Sequence, residues 1–391
     1  MKKFFLFFAS ALVFVPVFAW ENEEVEHECT SWMVFKDFTK NNTNILHKNR
    51  DSKEKRVAAY MSPAGAKRKW VAIGTINLTN TGVNASGLAG VMNSGEKTPD
   101  APNAKDKKST PALLLEILNS CDTAAQAVKK LEKLVKSGDY YHADSGSTFL
   151  FMDTKEGYIC EFTTKFFTAQ RFDNAYAFRA NIWQNHGMPA RARGSYKSYL
   201  HSSARAYIAL AGLNQALDKH GKITVADIAE ISRVCQIPGS ENKSWFSKLF
   251  TNEYPNRAVC GQSTNSGTTI EIDIQYPDVL SSIYAAIGNP RNTVYIPIPI
   301  CAEKYLPSMG NYSWSLTSYK RAEKEGFDAP IPAEWQKFEA DSMAKYSAAK
   351  AQARKLLDSG KRAEAVKLLN DTAYKIWEEA EALLNIQTAG K

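Results

Sequence analysis

Cysteine and histidine are both scarce, with six of each in 391 residues, and neither is grouped for metal binding. Cys29, Cys121, Cys160, Cys235, Cys260 and Cys301 form no Cys-x-x-Cys pair, and no histidine stands at zinc-ligand spacing from them. His142-Ala143-Asp144 is an isolated hint of a metal pair that reads better as an ordinary loop, so no metal is expected. No glycine-rich phosphate loop, dinucleotide fingerprint, serine-hydrolase elbow or His-Glu-x-x-His is present, and no cofactor is expected either. The excess of positive charge is only +8. The lysines cluster at Lys53 to Arg56, Lys67 to Lys69 and Lys105 to Lys108, as solvated turns do, and form no basic stripe, which excludes nucleic-acid binding. Internal repeats and low-complexity stretches are missing, and the apolar fraction of 44% supplies an ordinary globular core.

One long apolar run exists, at the start. Lys2-Lys3 precede Phe4 to Phe18, which Pro16 interrupts, and Val17-Phe18-Ala19 supplies small residues where a leader is cut. The run is short for a span of roughly 20 residues, so residues 1–19 read as a secretory signal and the mature chain as secreted or periplasmic, with no integral membrane segment. Trp20 to Glu28 is acidic, has no apolar periodicity and reads as a spacer or removable propeptide. Lipidation of Cys29 is excluded, because Glu26-His27-Glu28 stand where small apolar residues would be needed.

From Cys29 the pattern alternates between strands and helices. Trp32 to Phe35 and Asn44 to His47 flank a polar turn and predict a hairpin. Strands follow at Val57 to Met61 and Trp70 to Asn77, then a turn at Asn84 to Gly87 leads into a strand ending at Asn93. Helices are predicted for Pro111 to Ser120 and Thr123 to Ser137. Four short strands come next, at Thr148 to Met152, Tyr158 to Thr163, Phe167 to Phe172 and Ala175 to Ala180. Ser195 to His220 and Val225 to Cys235 predict helices, the latter capped by Thr224. Strands return at Val259 to Gln262, Thr268 to Ile274, Ser281 to Ile287 and Thr293 to Pro297. Ala333 to Leu357 and Ala363 to Ile386 predict a helical hairpin broken at Ser359-Gly360, which either packs on the body or serves assembly, so a homo-oligomer stays open. The order implies α+β layering with antiparallel sheets, residues 29–328 forming the body and 329–391 the hairpin.

Four pieces in sequence carry chemistry. Cys29-Thr30-Ser31-Trp32, Lys48-Asn49-Arg50-Asp51, Gly82 to Leu88 running on to Asn93, and Arg179-Ala180-Asn181 resemble the choloylglycine hydrolase and penicillin acyltransferase branch of the N-terminal-nucleophile hydrolases. The resemblance covers about Cys29 to Pro297. It implies a four-layer αββα sandwich, self-cleavage before Cys29, and hydrolysis or acyl transfer at a linear amide. By the same resemblance Asn181 would be the oxyanion amide, Asn93 a second asparagine lining the hole, and Lys48 would stand where the family often has arginine. Asn84 reads as a turn residue and Asn49 as loop support. Alternation along the strand is expected to point Arg50 to the face opposite Lys48. Arg205 matches a further family arginine only loosely, with Arg191 and Arg193 as competitors.

The residue types also make chemical sense unaided. A free cysteine is only a few per cent thiolate at neutral pH, so it needs a base or a lowered pKa. An α-amine titrates near 8, and on a terminal cysteine it sits beside the thiol. Asp51 is expected to hold the amine and thiol in place. The substrate expected is a small amide, with Trp70, Phe149, Phe151 and Trp183 suiting an apolar acyl group if they are not core. A dipeptidase or aminopeptidase, an acyltransferase and a non-catalytic secreted binding protein of the same fold are the alternatives.

Overall fold

The computed structural model describes residues 29–75, 78–101, 107–142, 145–193, 196–236 and 258–386. The expected leader and propeptide lie outside the described residues, as does part of His142-Ala143-Asp144.

In chain order the strands and helices begin with β1 (Cys29–Val34), β2 (Asn44–Asp51), β3 (Val57–Met61), β4 (Trp70–Thr75), β5 (Leu78–Asn84), β6 (Ala89–Lys97) and β7 (Lys108–Ser109). Two helices follow, α1 (Thr110–Ser120) and α2 (Ala124–Ser137). Then come β8 (Tyr140–Tyr141), β9 (Ser145–Met152), β10 (Gly157–Phe162), β11 (Phe167–Phe172) and β12 (Tyr176–Arg179), with helices α3 (Tyr196–His220) and α4 (Val225–Ser232). The chain continues through β13 (Thr264–Ile272), the short α5 (Pro277–Leu280), β14 (Ser282–Ile287) and β15 (Tyr295–Pro299). It closes with α6 (Pro307–Gly310), α7 (Ser313–Glu325), α8 (Ala333–Asp358) and α9 (Arg362–Leu383).

Two antiparallel sheets form the middle. The order is β12-β1-β2-β13-β14-β15 in one and β11-β10-β9-β6-β5-β4-β3 in the other, and β1 and β2 face β6 across the gap. Helices α1 and α2 cover the outside of the seven-stranded sheet, while α3, α4, α8 and α9 cover the six-stranded one. This is the αββα sandwich expected from the resemblance. Because each sheet is covered on both sides, every residue of β1 is buried, and the polar residues of β2 are carried inside with the apolar ones. A buried polar group costs stability unless it is hydrogen-bonded, so such strands mark where the fold spends stability on something else.

Local chemistry explains the element boundaries. Asn84 Oδ1 accepts from the Ser86 and Leu88 amides, and Gly87 takes the left-handed conformation (φ 81°), which makes the predicted turn between β5 and β6. The Thr123 hydroxyl caps α2, and Thr224 with Asp227 forms a capping box on α4. Gly360 (φ 74°) ends α8, with the Lys361 amide donating to Leu356 O and the Gly360 amide to Leu357 O. That double bond turns the chain back into α9. The hairpin packs on the six-stranded sheet: Tyr346 bonds Ser282, Trp377 Nε1 donates to Pro297 O, and Lys350 pairs with buried Glu271 at 2.6 Å.

The structure departs from the sequence reading at several points, β5 (Leu78–Asn84) having no predicted counterpart. Val259 to Gln262 is no strand: the Cys260 amide donates to Val234 O and the Gly261 amide to Thr264 Oγ1, so the segment bends into β13 instead of pairing alongside it. Helices α6 and α7, between the last strand and the hairpin, were not anticipated. All six cysteines are free thiols.

Candidate active site

The site lies where β1 begins and β2 ends. The antiparallel register sets Cys29 opposite Arg50 and Ser31 opposite Lys48. Directly opposed residues share a face, so Cys29, Ser31, Lys48 and Arg50 all point between the sheets, whereas Thr30, Asn49 and Asp51 point toward the helices. Arg50 is therefore on the same face as Lys48, not the opposite one. The two residues are separated by two positions, one full period of a strand, and this spacing was visible in the sequence.

Three neighbours grip Cys29. On its flank, β12 pairs with β1 with Arg179 opposite Ser31, so two residues further on Asn181 comes level with Cys29. The Cys29 backbone N–H donates to Asn181 Oδ1 at 2.7 Å. From the helix side, Arg205 on α3 donates through Nη1 to the Cys29 carbonyl at 2.8 Å and to Thr30 Oγ1 at 3.2 Å, and through Nη2 to Asn181 Oδ1 at 3.0 Å. Between the sheets, Lys48 Nζ donates to Asn93 Oδ1 at 2.8 Å and lies within electrostatic reach of Cys29.

Lys48 is buried, and that burial lowers its pKa below the ordinary lysine value; the Cys29 thiol beside it pulls in the opposite direction by favouring the charged ammonium. Asn93 sits on β6 of the other sheet. Its Oδ1 accepts from both Lys48 and the Ser31 hydroxyl, and its Nδ2 donates to Arg179 O at 3.3 Å. Its side chain is thus a brace for Lys48. Asp51 lies on the helix face, where Oδ1 accepts from the Thr264 hydroxyl at 2.5 Å and Oδ2 stands 3.9 Å from Arg205 Nη1. Arg205 therefore links Asp51 to the Cys29 backbone.

The structure separates Arg205 from its competitors. Arg191 stacks on Phe166, 3.5 Å from the ring centre, and Arg193 is exposed, whereas Arg205 is 1% exposed and touches Cys29. All six residues singled out from the sequence thus come together at one end of the sandwich.

Supporting residues were harder to read. Asn181 is held by a buried ion pair behind it: Arg179 Nε donates to Glu161 Oε1 at 2.9 Å, and Glu161 accepts the Gln184 and Asn185 amides. Asn181 Nδ2 in turn donates to Ser94 O at 2.9 Å. Asn49 Nδ2 donates to the Ser232 and Val259 carbonyls, which orients its amide and leaves Oδ1 to accept from His47 Nε2 at 2.9 Å. His47 Nδ1 then accepts from the Thr269 hydroxyl, and burial pushes this neutral imidazole down to about 3. The aromatics divide: Phe149 and Phe151 belong to the core beneath α1 and α2, while Trp183 packs over Gly95 and Gly146 in the segment that carries Asn181.

Among the described residues no group of three or more His, Cys, Asp or Glu could hold a metal ion, and no helix is long and apolar enough to cross a membrane. No family model matches the sequence, and no curated protein matches it. Among solved structures, the chain is similar to penicillin V acylase from Agrobacterium tumefaciens, at 15% identity, covering 69% of this chain and 86% of that one, with a TM-score of 0.42. It is also similar to the Caenorhabditis elegans N-acylethanolamine-hydrolyzing acid amidase ortholog, at 11% identity, covering 64% of this chain and 94% of that one, with a TM-score of 0.39.

Proposed function

We propose that this protein is a secreted N-terminal-nucleophile hydrolase that cleaves linear amides with Cys29 after self-cleavage of the Glu28–Cys29 bond. The observation that carries the reading is the double grip on Cys29, in which Asn181 takes its backbone nitrogen and Arg205 its carbonyl. Cleavage turns that nitrogen into an α-amine, and an Asn181 oxygen already 2.7 Å away orients it as the base. The amine takes the thiol proton, and the Lys48 ammonium stabilises the resulting thiolate.

The thiolate adds to the substrate carbonyl, and charge developing on the carbonyl oxygen is met by the Asn181 amide. Collapse breaks the C–N bond, and the protonated α-amine gives its proton to the departing amine. The thioester that remains is cleaved by water, whose proton returns to the α-amine as the acid leaves. Asp51 and Asn93 act through Arg205 and Lys48 respectively. An acceptor amine in place of water would make the same site an acyltransferase.

Mass spectrometry of the purified protein checks the first step: the expected chain starts at Cys29, and Cys29→Ala retains the acidic segment. Turnover of an N-acyl amide panel checks the second. Cys29→Ala is expected to lose on the order of 10⁴-fold or more in kcat, as removal of a covalent nucleophile does. A wild-type chain that keeps its acidic segment and hydrolyses nothing would leave the non-catalytic binding protein as the better reading.

A further inference from the structure

Arg50 has no role in the mechanism above, yet it occupies the position directly across from Cys29 on the same face. Opposed residues on one face stand about 5 Å apart at Cβ, so a guanidinium there reaches anything bound over the thiol. It lies within electrostatic reach of Cys29, Asp51, Glu54 and Tyr319.

The acids around it are engaged elsewhere. Glu54 takes Arg56 in a bidentate pair at 2.8 and 2.9 Å, Asp51 is bound to Thr264 beside Arg205, and Glu323 pairs with Lys55. Among the described residues, Arg50 Nη1 is buried without a hydrogen-bond partner. Leaving a buried donor of a cation unmet costs stability, and a bound ligand or water relieves that cost.

We propose that Arg50 determines specificity by receiving a carboxylate that the amide substrate carries next to its scissile bond. A planar guanidinium matches a carboxylate with two parallel hydrogen bonds, which a lysine cannot reproduce. The substrate class is accordingly an N-acyl amino acid or an amide of a dicarboxylic acid, not a neutral N-acyl amine. This inference rests on the reading of Cys29 as the nucleophile.

The test compares three probes on the full processed protein: N-hexanoylglycine, with its carboxylate on the amine side; N-propylglutaramic acid, with its carboxylate on the acyl side; and neutral N-hexanoylpropylamine. The readout is the ratio of kcat/KM for an anionic probe to that for the neutral one, so a general loss of activity cancels. Wild type is expected to favour one anionic probe at least 10-fold, and which one tells the side of the scissile bond that faces Arg50. Arg50→Gln is expected to lower that ratio at least 10-fold, mainly through KM, with Arg50→Lys in between.

A second measurement does not depend on the acyl chain: the rate of Cys29 alkylation by iodoacetate relative to iodoacetamide. This ratio is expected to fall at least 10-fold in Arg50→Gln. If both ratios are the same in Arg50→Gln and wild type, the carboxylate assignment is wrong while the nucleophile stands. If Cys29→Ala still hydrolyses the probes, the nucleophile reading fails and takes this inference with it.

Discussion

The buried and half-buried cations of this molecule fall into two groups with different surroundings. Behind Asn181, Arg179 is paired with Glu161, and away from the site Arg233 is paired with Glu339 in a bidentate bridge and Lys350 with Glu271. Next to Cys29, Lys48 bonds an asparagine and Arg50 has no hydrogen-bonded acid among the described residues. The first group ties layers together: Arg233 with Glu339 joins α4 to the hairpin helix α8, and Lys350 with Glu271 joins α8 to β13. The second group keeps positive charge available. On the proposed mechanism, a carboxylate bonded to Lys48 would neutralise the field that favours a thiolate, and among the described residues none bonds it.

Breaking one member of each group should separate these roles. Glu339→Ala leaves Arg233 buried and uncompensated and removes the acceptor of the Tyr295 amide, so it should cost about 3–5 kcal/mol in chemical denaturation, with turnover by the surviving folded protein largely kept. Lys48→Met should do the reverse. Turnover should drop about 10²-fold, the scale of one lost stabilising donor, while the thermal midpoint stays level or rises because a buried charge has gone. A large loss of stability in Lys48→Met would erase the distinction drawn between the two groups.

The pH response sharpens it from the helix side of β2. His47 has an ordinary value of 6.5 when unfolded and about 3 when folded, so only the unfolded chain gains a proton between those limits. Stability is therefore complete above pH 6.5 and is lost as pH falls toward 3. Linkage puts the loss at about 2 kcal/mol between pH 6.5 and 5, read from denaturation midpoints, and His47→Gln should flatten that slope. The smallest effect is expected where no buried charge is involved. Thr224→Ala removes the α4 cap and should cost about 1 kcal/mol without touching turnover.

Much of the architecture was legible because it is local. Hairpin strands, the Asn84 to Gly87 turn, the Thr123 and Thr224 caps and the Ser359-Gly360 break each depend on a few neighbouring residues. Val259 to Gln262 was misread because a short apolar run does not say whether it will find a pairing strand, and the bends at Cys260 and Gly261 depend on Val234 and Thr264. Helix α7 went unread, since a polar helix of low periodicity declares itself only through what it packs on. Arg50 is a different case, because its two-residue spacing from Lys48 was in plain view and only the register with Cys29 gave that spacing a meaning.

The sequence by itself, chiefly through its resemblance to a known family, singled out Cys29, Lys48, Asp51, Asn93, Asn181 and Arg205 as candidates for the site. Tertiary structure decided how they are deployed. Asn93 and Asn181 approach from different sheets and strands, Arg205 was chosen over Arg191 and Arg193 by the packing of α3, and Glu161 holds Asn181 from behind. Those choices come from contacts between residues far apart in the chain, where burial and strand register set each partner, and no local pattern encodes them.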